Sequence, residues 1–164
     1  MQTRNSYIEG IENVWLGEIM IISTKGKNAL KIMLDIAEHN SGELVRLKDV
    51  AKRQNLSEKY LEQIVSGLHR EKLVNSVRGK NGGYSLTYPP EKYTVGQIIR
   101  AVENNMNPTD CYGENSTPCP NKTTCVNYRL WGRLDQALNE VLEGITLDDM
   151  LSWQMELHID QYVI

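Results

Sequence analysis

Three cysteines lie in one short stretch of the chain and are the residues best suited to chemistry. Cys111, Cys119 and Cys125 are the only cysteines among the 164 residues, and the segments between them are rich in Pro, Gly, Asn and Thr. Such a composition is typical of a loop rather than of a helix or strand. Thiolates are soft metal ligands, and pairs of thiols also interconvert with disulfides. The stretch therefore predicts a loop that senses metal or redox state.

Several chemistries are open to these thiols. Structural zinc sites usually pair cysteines roughly two to four residues apart, whereas seven and five residues separate the cysteines here. A disulfide switch between two of the three needs no metal and remains an alternative. Three inert cysteines in one loop are not expected, so the pattern favours metal ligands or redox-active thiols. An iron–sulfur cluster would need a ligand besides these three, since such clusters usually have four. Nearby Glu103, Asp110, Glu114 or Tyr128, or a small thiol or water, could supply it.

The net charge of −3 is unevenly distributed along the chain. Residues 20–94 contain 13 Lys and Arg against 8 Asp and Glu, whereas residues 95–164 contain 4 against 10. The middle of the chain is therefore the part suited to contact DNA, although a solvated basic surface would have the same composition.

We expect a cytoplasmic protein that is not an enzyme. The chain contains no apolar run of about 18 residues that could span a membrane, and Glu9, Glu12 and Glu18 stand where a signal peptide would be basic. In a reducing compartment, clustered cysteines are more often metal ligands or redox groups than structural disulfides. No nucleophile with an adjacent base, phosphate-binding loop or carboxylate pair is present that would indicate catalysis.

A helix-turn-helix pattern precedes the cysteines. Apolar residues at intervals of three and four predict a helix from Thr24 to about His39, and a second, short helix is expected from Leu47 to about Gln54. After a turn at Asn55, Ser57 is a suitable N-cap for a third helix. The apolar residues expected to form the buried faces are Ala29, Ile32, Met33, Ile36, Ala37, Leu61, Ile64, Val65 and Leu68. Such helix pairs also occur as simple core packing.

A hairpin follows directly. Residues 73–78 and 84–87 read as paired strands, and the glycine-rich tip between them carries Lys80, with Arg78 at its base. Glycines at such a tip allow the backbone to approach a phosphate or enter a narrow minor groove. An ordinary surface hairpin would look similar, but its place after a helix-turn-helix favours the wing of a winged helix.

The remaining elements are helical. Thr94 caps a helix expected from Val95 to about Asn104, and a long amphipathic helix is expected from Val126 to Glu143. A shorter helix runs from Leu147 to about Met155. The long helix carries an apolar stripe that we expect to pack against a second copy of itself. Its members are Leu130, Trp131, Leu134, Leu138, Val141 and Leu142.

The expected fold is mainly α with a small β wing: a winged helix-turn-helix domain joined to a long dimerisation helix. The predicted division is an N-terminal extension outside the core (1–19), the winged helix-turn-helix domain (20–106), the cysteine loop (107–125), the dimerisation helix with the short helix after it (126–155) and a tail (156–164).

Four segments resemble the Rrf family of winged-helix transcriptional regulators, whose members include IscR, NsrR and CymR. They are residues 22–27, 57–63, 76–84 and 144–149, and the Ser76–Tyr84 wing is the most specific of them. The resemblance covers about residues 20–151. It implies a homodimer that regulates transcription at palindromic operators.

The resemblance also implies which residues meet DNA. Base-reading positions of the family fall on Lys59, Tyr60, Glu62 and Gln63, and Arg78 matches the wing arginine that enters the minor groove. Side-chain chemistry agrees, because glutamine can bond adenine bidentately and glutamate can accept from a cytosine amino group. Tyr60 could instead pack its helix against a neighbour. The full expected set is Ser57, Lys59, Tyr60, Glu62, Gln63, Arg78 and Lys80.

Metal-binding members of the family hold an iron–sulfur cluster with three cysteines in this loop. The resemblance therefore implies that Cys111, Cys119 and Cys125 are ligands, with a [2Fe–2S] cluster favoured over [4Fe–4S]. The family's fourth ligand is a histidine or an aspartate, at positions held here by Tyr128 and Lys27. A missing ligand would suit a sensor of nitric oxide, oxygen or peroxide. A cluster-free regulator of sulfur metabolism that uses a thiol switch or a protein partner, and a signalling adaptor that does not bind DNA, are the alternatives.

Overall fold

The computed structural model describes residues 22–40, 42–113, 116 and 119–160. In chain order the elements are α1 (Thr24–His39), α2 (Leu47–Gln54), α3 (Glu58–Arg70), β1 (Val74–Val77), β2 (Gly83–Leu86), a 3-10 turn (Pro90–Lys92), α4 (Val95–Arg100), α5 (Val126–Gly144) and α6 (Leu147–Asp160). The mainly helical fold with a two-stranded sheet is confirmed. The predicted extension at 1–19 and the last four residues of the predicted tail lie outside the described residues.

Local capping fixes the start of α1, the end of α2 and the start of α3. The Ser23 hydroxyl accepts hydrogen bonds from the backbone N–H groups of Lys25 and Gly26 at the start of α1, and Ser57 does the same for Tyr60 at the start of α3. Both serines satisfy donors that the first turn of a helix leaves without a partner. Asn55 ends α2 in the left-handed conformation, with φ of 52°, which asparagine tolerates better than most residues.

One apolar core joins these helices to the wing. Every residue predicted for the buried faces lies in it, and Ala37 alone is only half-buried. The Tyr93 side chain is buried in this core. Its hydroxyl donates to the Leu73 carbonyl at 3.0 Å and accepts from the Tyr88 N–H at 2.6 Å. Burial raises the pKa of Tyr93. The turn after β2 is thereby held against the end of α3.

A buried carboxylate fixes α2 against α1. Asp35 lies on the inner face of α1 with 3% exposure, and its oxygens accept from Arg53 Nε at 3.1 and 3.0 Å and from Gln54 Nε2 at 2.9 Å. Burial by itself would raise the pKa of Asp35, but the bonds from Arg53 and Gln54 outweigh it and hold the pKa below its usual value. The carboxylate is thus ionised and fully engaged at neutral pH.

The sheet is an antiparallel hairpin with a third short partner. Val74 pairs with Leu86 and Val77 with Gly83, and each strand starts one residue away from its predicted position, because pairing rather than composition sets the register. Val45, just before α2, exchanges two backbone hydrogen bonds of 2.8 Å with Tyr84. Gly83 makes this approach possible, because a Cβ there would lie 2.8 Å from the Val45 carbonyl oxygen. The wing is therefore tied to the helix-turn-helix.

A second, smaller apolar cluster joins α4 to α5. Its buried members are Val95, Ile99 and Leu142. The turn between α5 and α6 is joined to the start of α4, because the Val95 N–H donates to the Ile145 carbonyl at 2.9 Å. The outer face of α5, formed by Val126, Leu130, Leu134 and Val141, is exposed in the single chain. Leu138 and Leu142 point the other way, towards α4, so the predicted stripe is divided between two faces.

Two helix ends differ from prediction. Helix α4 stops at Arg100 rather than Asn104, and the Glu103 carboxylate beyond it accepts the Ser23 N–H at 3.0 Å. Helix α6 continues to Asp160 rather than ending near Met155, and Gln154 on it donates to Glu38 of α1 at 3.0 Å. Both differences involve contacts between residues far apart in sequence. No helix in the described part of the chain is long and apolar enough to cross a bilayer.

The Asp35 network makes a testable contribution to stability. Asp35→Asn should lower the free energy of unfolding at pH 7 by about 1–3 kcal/mol, since it removes an ion pair that Arg53 cannot replace. The pKa of Asp35 is lowered on folding, so its contribution is present above the unfolded pKa of about 3.9 and is lost as pH falls through the folded value. Urea unfolding should therefore show a difference between wild type and variant at pH 7 that shrinks below about pH 4.

The matched control is Glu43→Gln, which changes an exposed carboxylate to an amide. It should leave the unfolding midpoint close to that of the wild type. Equal stability of Asp35→Asn and wild type at pH 7 would show that the network does not stabilise the fold.

Candidate nucleic-acid interface and cysteine loop

Helix α3 presents one apolar and one polar face. Leu61, Ile64, Val65 and Leu68 are buried in the core, whereas the intervening Lys59, Glu62 and Gln63 are exposed. Ser57 is also exposed, although its hydroxyl is used to cap the helix. The first two turns of α3 therefore carry a cation, a carboxylate and an amide that face solvent, which are the groups that read base edges.

Tyr60 differs from its neighbours on α3. Its side chain is half-buried and packs against the core, and its hydroxyl accepts from Asn28 Nδ2 at 3.5 Å. The packing role considered for Tyr60 from sequence is therefore present in the structure. Whether its hydroxyl also meets DNA stays a prediction, as do the DNA contacts of the other six residues.

The wing carries the second set of candidate DNA contacts. Arg78 and Lys80 are both exposed, and within the described part of the chain neither is joined to a carboxylate. Gly79 between them has φ of +113°, a conformation that favours glycine. The two cations are thus held at a tight turn with their charges unpaired.

All three cysteines in the loop are free, half-buried thiols. Cys125 is the N-cap residue of α5 and makes no side-chain capping bond, while Cys111 Sγ lies 3.5 Å from the Thr109 hydroxyl. Three soft thiol donors suit an iron–sulfur cluster or a disulfide exchange. Within the residues the structure describes, however, no three His, Cys, Asp or Glu side chains are gathered closely enough to hold a metal ion.

The ring of Tyr128, in the first turn of α5, is contacted by two residues of the cysteine loop, Tyr112 and Lys122. The Tyr112 ring lies against it with centroids 4.8 Å apart and planes inclined by 56°. Lys122 Nζ lies 5.4 Å from the centroid of the same ring. Gly132, one further turn along α5, leaves room for Tyr112, since a Cβ there would lie 3.0 Å from the Tyr112 hydroxyl. Sequence reasoning missed Tyr112 and Lys122, although aromatic and cationic residues beside the cysteines were a visible signal.

The proposed fourth ligands are dispersed. Glu103 is engaged with the Ser23 N–H, Asp110 is exposed, and Tyr128 is packed against Tyr112. Lys27, at the family's aspartate position, is exposed on α1. Glu114 lies outside the described residues. The chain by itself therefore offers no preformed fourth ligand among the described candidates.

A polar contact joins α4 to the far end of α5. Arg100 donates to Glu143 and, through Nη2, to Asn139 Oδ1 at 2.6 Å, and the Thr94 hydroxyl donates to Glu143 at 2.7 Å. Burial would raise the pKa of Glu143, but these donors outweigh it and lower the pKa. Helix α5 is thus connected to the cysteine loop at one end and to the winged helix at the other.

A capped helix-turn-helix followed by a basic wing is the architecture of winged-helix transcriptional regulators. Comparison with known proteins agrees: the model of the Rrf2 family, described as an iron-dependent transcriptional regulator, matches residues 22–152. The chain belongs to the Rrf2 family.

Named relatives support the same class. The chain is 38% identical over 132 residues to the HTH-type transcriptional regulator IscR of Aliivibrio salmonicida, covering 80% of this chain and 77% of that protein. Among solved structures it is similar to CymR, the global cysteine regulator of B. subtilis, with a TM-score of 0.67 and 40% identity over 81% of this chain and 97% of that one. It is also similar to T. potens IscR, with a TM-score of 0.65 and 38% identity over 82% and 88%.

These comparisons confirm the family predicted from the four sequence segments. The chain is a transcriptional regulator with a DNA-binding fold, and the relatives are named as regulators rather than as enzymes. Both IscR and CymR are among these relatives.

Proposed function

We propose that this chain acts as a homodimer that binds palindromic operators and that an iron–sulfur cluster held by Cys111, Cys119 and Cys125 controls that binding. The observation that carries the DNA-binding part is the solvent-facing set on α3, Lys59, Glu62 and Gln63. Beside it lies the wing, whose two cations form no ion pair with any residue that the structure describes. Membership of a family described as iron-dependent supports the cluster.

The DNA-binding step follows from the two polar surfaces. Helix α3 would lie in the major groove, where Gln63 and Glu62 meet base edges and Lys59 meets a phosphate or a guanine. The wing would place Arg78 in the adjacent minor groove and Lys80 on the backbone. Ser57 supports the major-groove contacts by capping α3, which holds the first turn of that helix rigid. The basic excess of residues 20–94 would supply the sequence-independent attraction to phosphates.

Operator binding gives the first test of this proposal. Arg78→Ala should weaken binding to a palindromic operator by roughly 10- to 100-fold and should reduce the salt dependence, because a charged contact in each half-site is lost. Fluorescence anisotropy across several salt concentrations measures both quantities. Arg70→Ala is the matched control, since Arg70 is also exposed but lies at the far end of α3 and pairs with Glu71. Equal affinity of Arg78→Ala and wild type would exclude the wing contact.

The outer face of α5 supports the homodimer. Leu130 and Val141 on this face are 55% and 57% exposed in the single chain. Exposed apolar residues at intervals of four and seven, as along this face, form one stripe on a helix and are typical of a helix that packs against a partner. A symmetric dimer would also provide the two recognition helices that a palindrome needs.

Charge on this face tests the dimer. The double variant Leu130→Asp/Val141→Asp should be monomeric in light scattering, because each dimer would have to bury four carboxylates. The wild-type chain of 18.7 kDa should have twice that mass. Leu157→Asp, which changes an exposed leucine on α6, should remain dimeric. A monomeric wild type at micromolar concentration would contradict the proposal.

The cysteine loop would hold the cluster through its three thiolates. When bound, the cluster supplies a redox-active iron–sulfide centre whose iron accepts ligands such as nitric oxide or oxygen. The chain would supply three thiolate ligands from one loop. These cysteines are half-buried, and the third of them immediately precedes α5. Since α5 begins at the residue after Cys125, a change at the thiols acts directly on the first turn of the proposed dimer helix.

Replacing the thiols tests the cluster. Chain purified without oxygen should be coloured and contain iron and sulfide, and its operator affinity should change by about 5- to 150-fold when the metal is removed. The triple Cys→Ser variant should be colourless and bind the operator like the metal-free chain. A colourless, iron-free wild type whose operator binding is unchanged by the three substitutions would exclude cluster control. If iron-free chain instead responds reversibly to a disulfide-forming oxidant, the thiol switch is the correct alternative.

A further inference from the structure

We infer that Tyr128 is the positioning residue of the cysteine loop: its ring holds the segments that carry Cys111 and Cys119 against the start of α5, where Cys125 lies. The inference rests on the proposed function only for the identity of what the thiols hold. The anchoring itself follows from contacts in the chain.

Each thiol is connected to the Tyr128 ring by a different route. Cys111 precedes Tyr112, whose ring packs on Tyr128 at 4.8 Å. The Cys119 carbonyl accepts the Lys122 N–H at 3.2 Å, and Lys122 Nζ lies 5.4 Å from the Tyr128 centroid. Cys125 is the N-cap of α5 and is held one turn from Tyr128 by the helix itself.

The distances and the angle of the two ring contacts fall within the ranges in which aromatic pairs and cation–π pairs are stabilising. Aromatic rings attract each other when inclined, with centroids roughly 4.5–7 Å apart, and a lysine ammonium within about 6 Å of a ring centroid interacts with the ring face. Gly132 makes room for this contact, because an added Cβ there would lie 3.0 Å from the Tyr112 hydroxyl and 3.4 Å from the nearest atoms of its ring. A glycine in the middle of a helix costs stability, so its presence is consistent with a need for this space.

Anchoring the loop at one ring has a definite physical effect. Gathering distant parts of a flexible loop costs conformational entropy that grows with loop length. When Tyr112 and Lys122 are already held at Tyr128, part of that entropy is lost on folding rather than on ligand binding. The described thiols are still too far apart to hold a metal ion together. The ring therefore lowers the entropy that remains to be lost when the thiols come together, without donating an electron pair itself.

Bridging of thiol pairs in the metal-free chain tests this role. A short bifunctional alkylating reagent such as dibromobimane becomes fluorescent when it links two thiols, and the intrachain product separates from linked dimers on a denaturing gel. Cys111–Cys125 bridging is measured in the Cys119→Ser background, and Cys119–Cys125 bridging in the Cys111→Ser background. Neither reaction involves iron.

The expected pattern is specific to each contact. Tyr128→Leu should slow both bridging reactions by roughly two- to tenfold, the effect of losing one aromatic or cation–π contact. Tyr112→Leu should slow only the Cys111–Cys125 reaction, and Lys122→Met only the Cys119–Cys125 reaction. Gly132→Val should act like Tyr112→Leu, although valine is a better helix former than glycine. Gly144→Val is its control, because none of the neighbouring groups that the structure describes approaches a Cβ at Gly144 within 4 Å.

Tyr128→Phe separates positioning from ligation, since it keeps the ring and removes the hydroxyl. It should bridge both pairs at the rate of its parent and, if the chain holds iron, retain iron against a chelator as the wild type does. Loss of iron by Tyr128→Phe with unchanged bridging would overturn the inference, because the hydroxyl would then be a ligand. Unchanged bridging in Tyr128→Leu and Gly132→Val would also overturn it. The expected bridging pattern in a chain that never loads iron would support the anchor and refute the proposed cluster.

Discussion

The buried Asp35 carboxylate, with Arg53 and Gln54 around it, is the contact on which the geometry of the DNA-binding half depends. Apolar contacts alone would let α2 slide along α1 with little change in buried area. A buried charge does not allow this, because any shift leaves the carboxylate with fewer donors in a region that water does not reach. The position of α2 is therefore set by the ion pair, and α3 packs on a support that is already oriented.

The same helical period that builds the core also builds the polar surface. On α3 the residues at spacing three and four are buried, so those between them must face away from the core. The wing is then brought alongside by backbone pairing between Val45 and Tyr84. The polar face of α3 and the wing, which are separated in sequence, are thus positioned by the packing of α3 in the core and by the two hydrogen bonds between Val45 and Tyr84.

How far the fold could be predicted follows from these causes. The start of α1, the end of α2 and the start of α3 depend on Ser23, Asn55 and Ser57, which act within one turn and are visible in sequence. The ends of α4 and α6 could not be found in this way, because Glu103 and Gln154 have partners about 80 or more residues away. In the site, the cysteines and the exposed residues of α3 were evident from residue type, whereas the Tyr112–Tyr128 contact depends on how the loop returns to α5.

Helix α5 is the element in which the two halves of the molecule meet. Its first turns carry Cys125 and the Tyr128 ring, and its last turns carry Glu143, which Arg100 and Thr94 hold against α4. A helix of this length transmits a displacement at one end to the other, because its backbone bonds resist bending. If thiol chemistry shifts the first turn, the Glu143 contact either moves with α5 or breaks. If it breaks, α4, and with it the winged helix, changes its position relative to the outer face of α5. In the proposed dimer the two recognition helices would then change their separation, which must match the spacing of the half-sites in a palindromic operator.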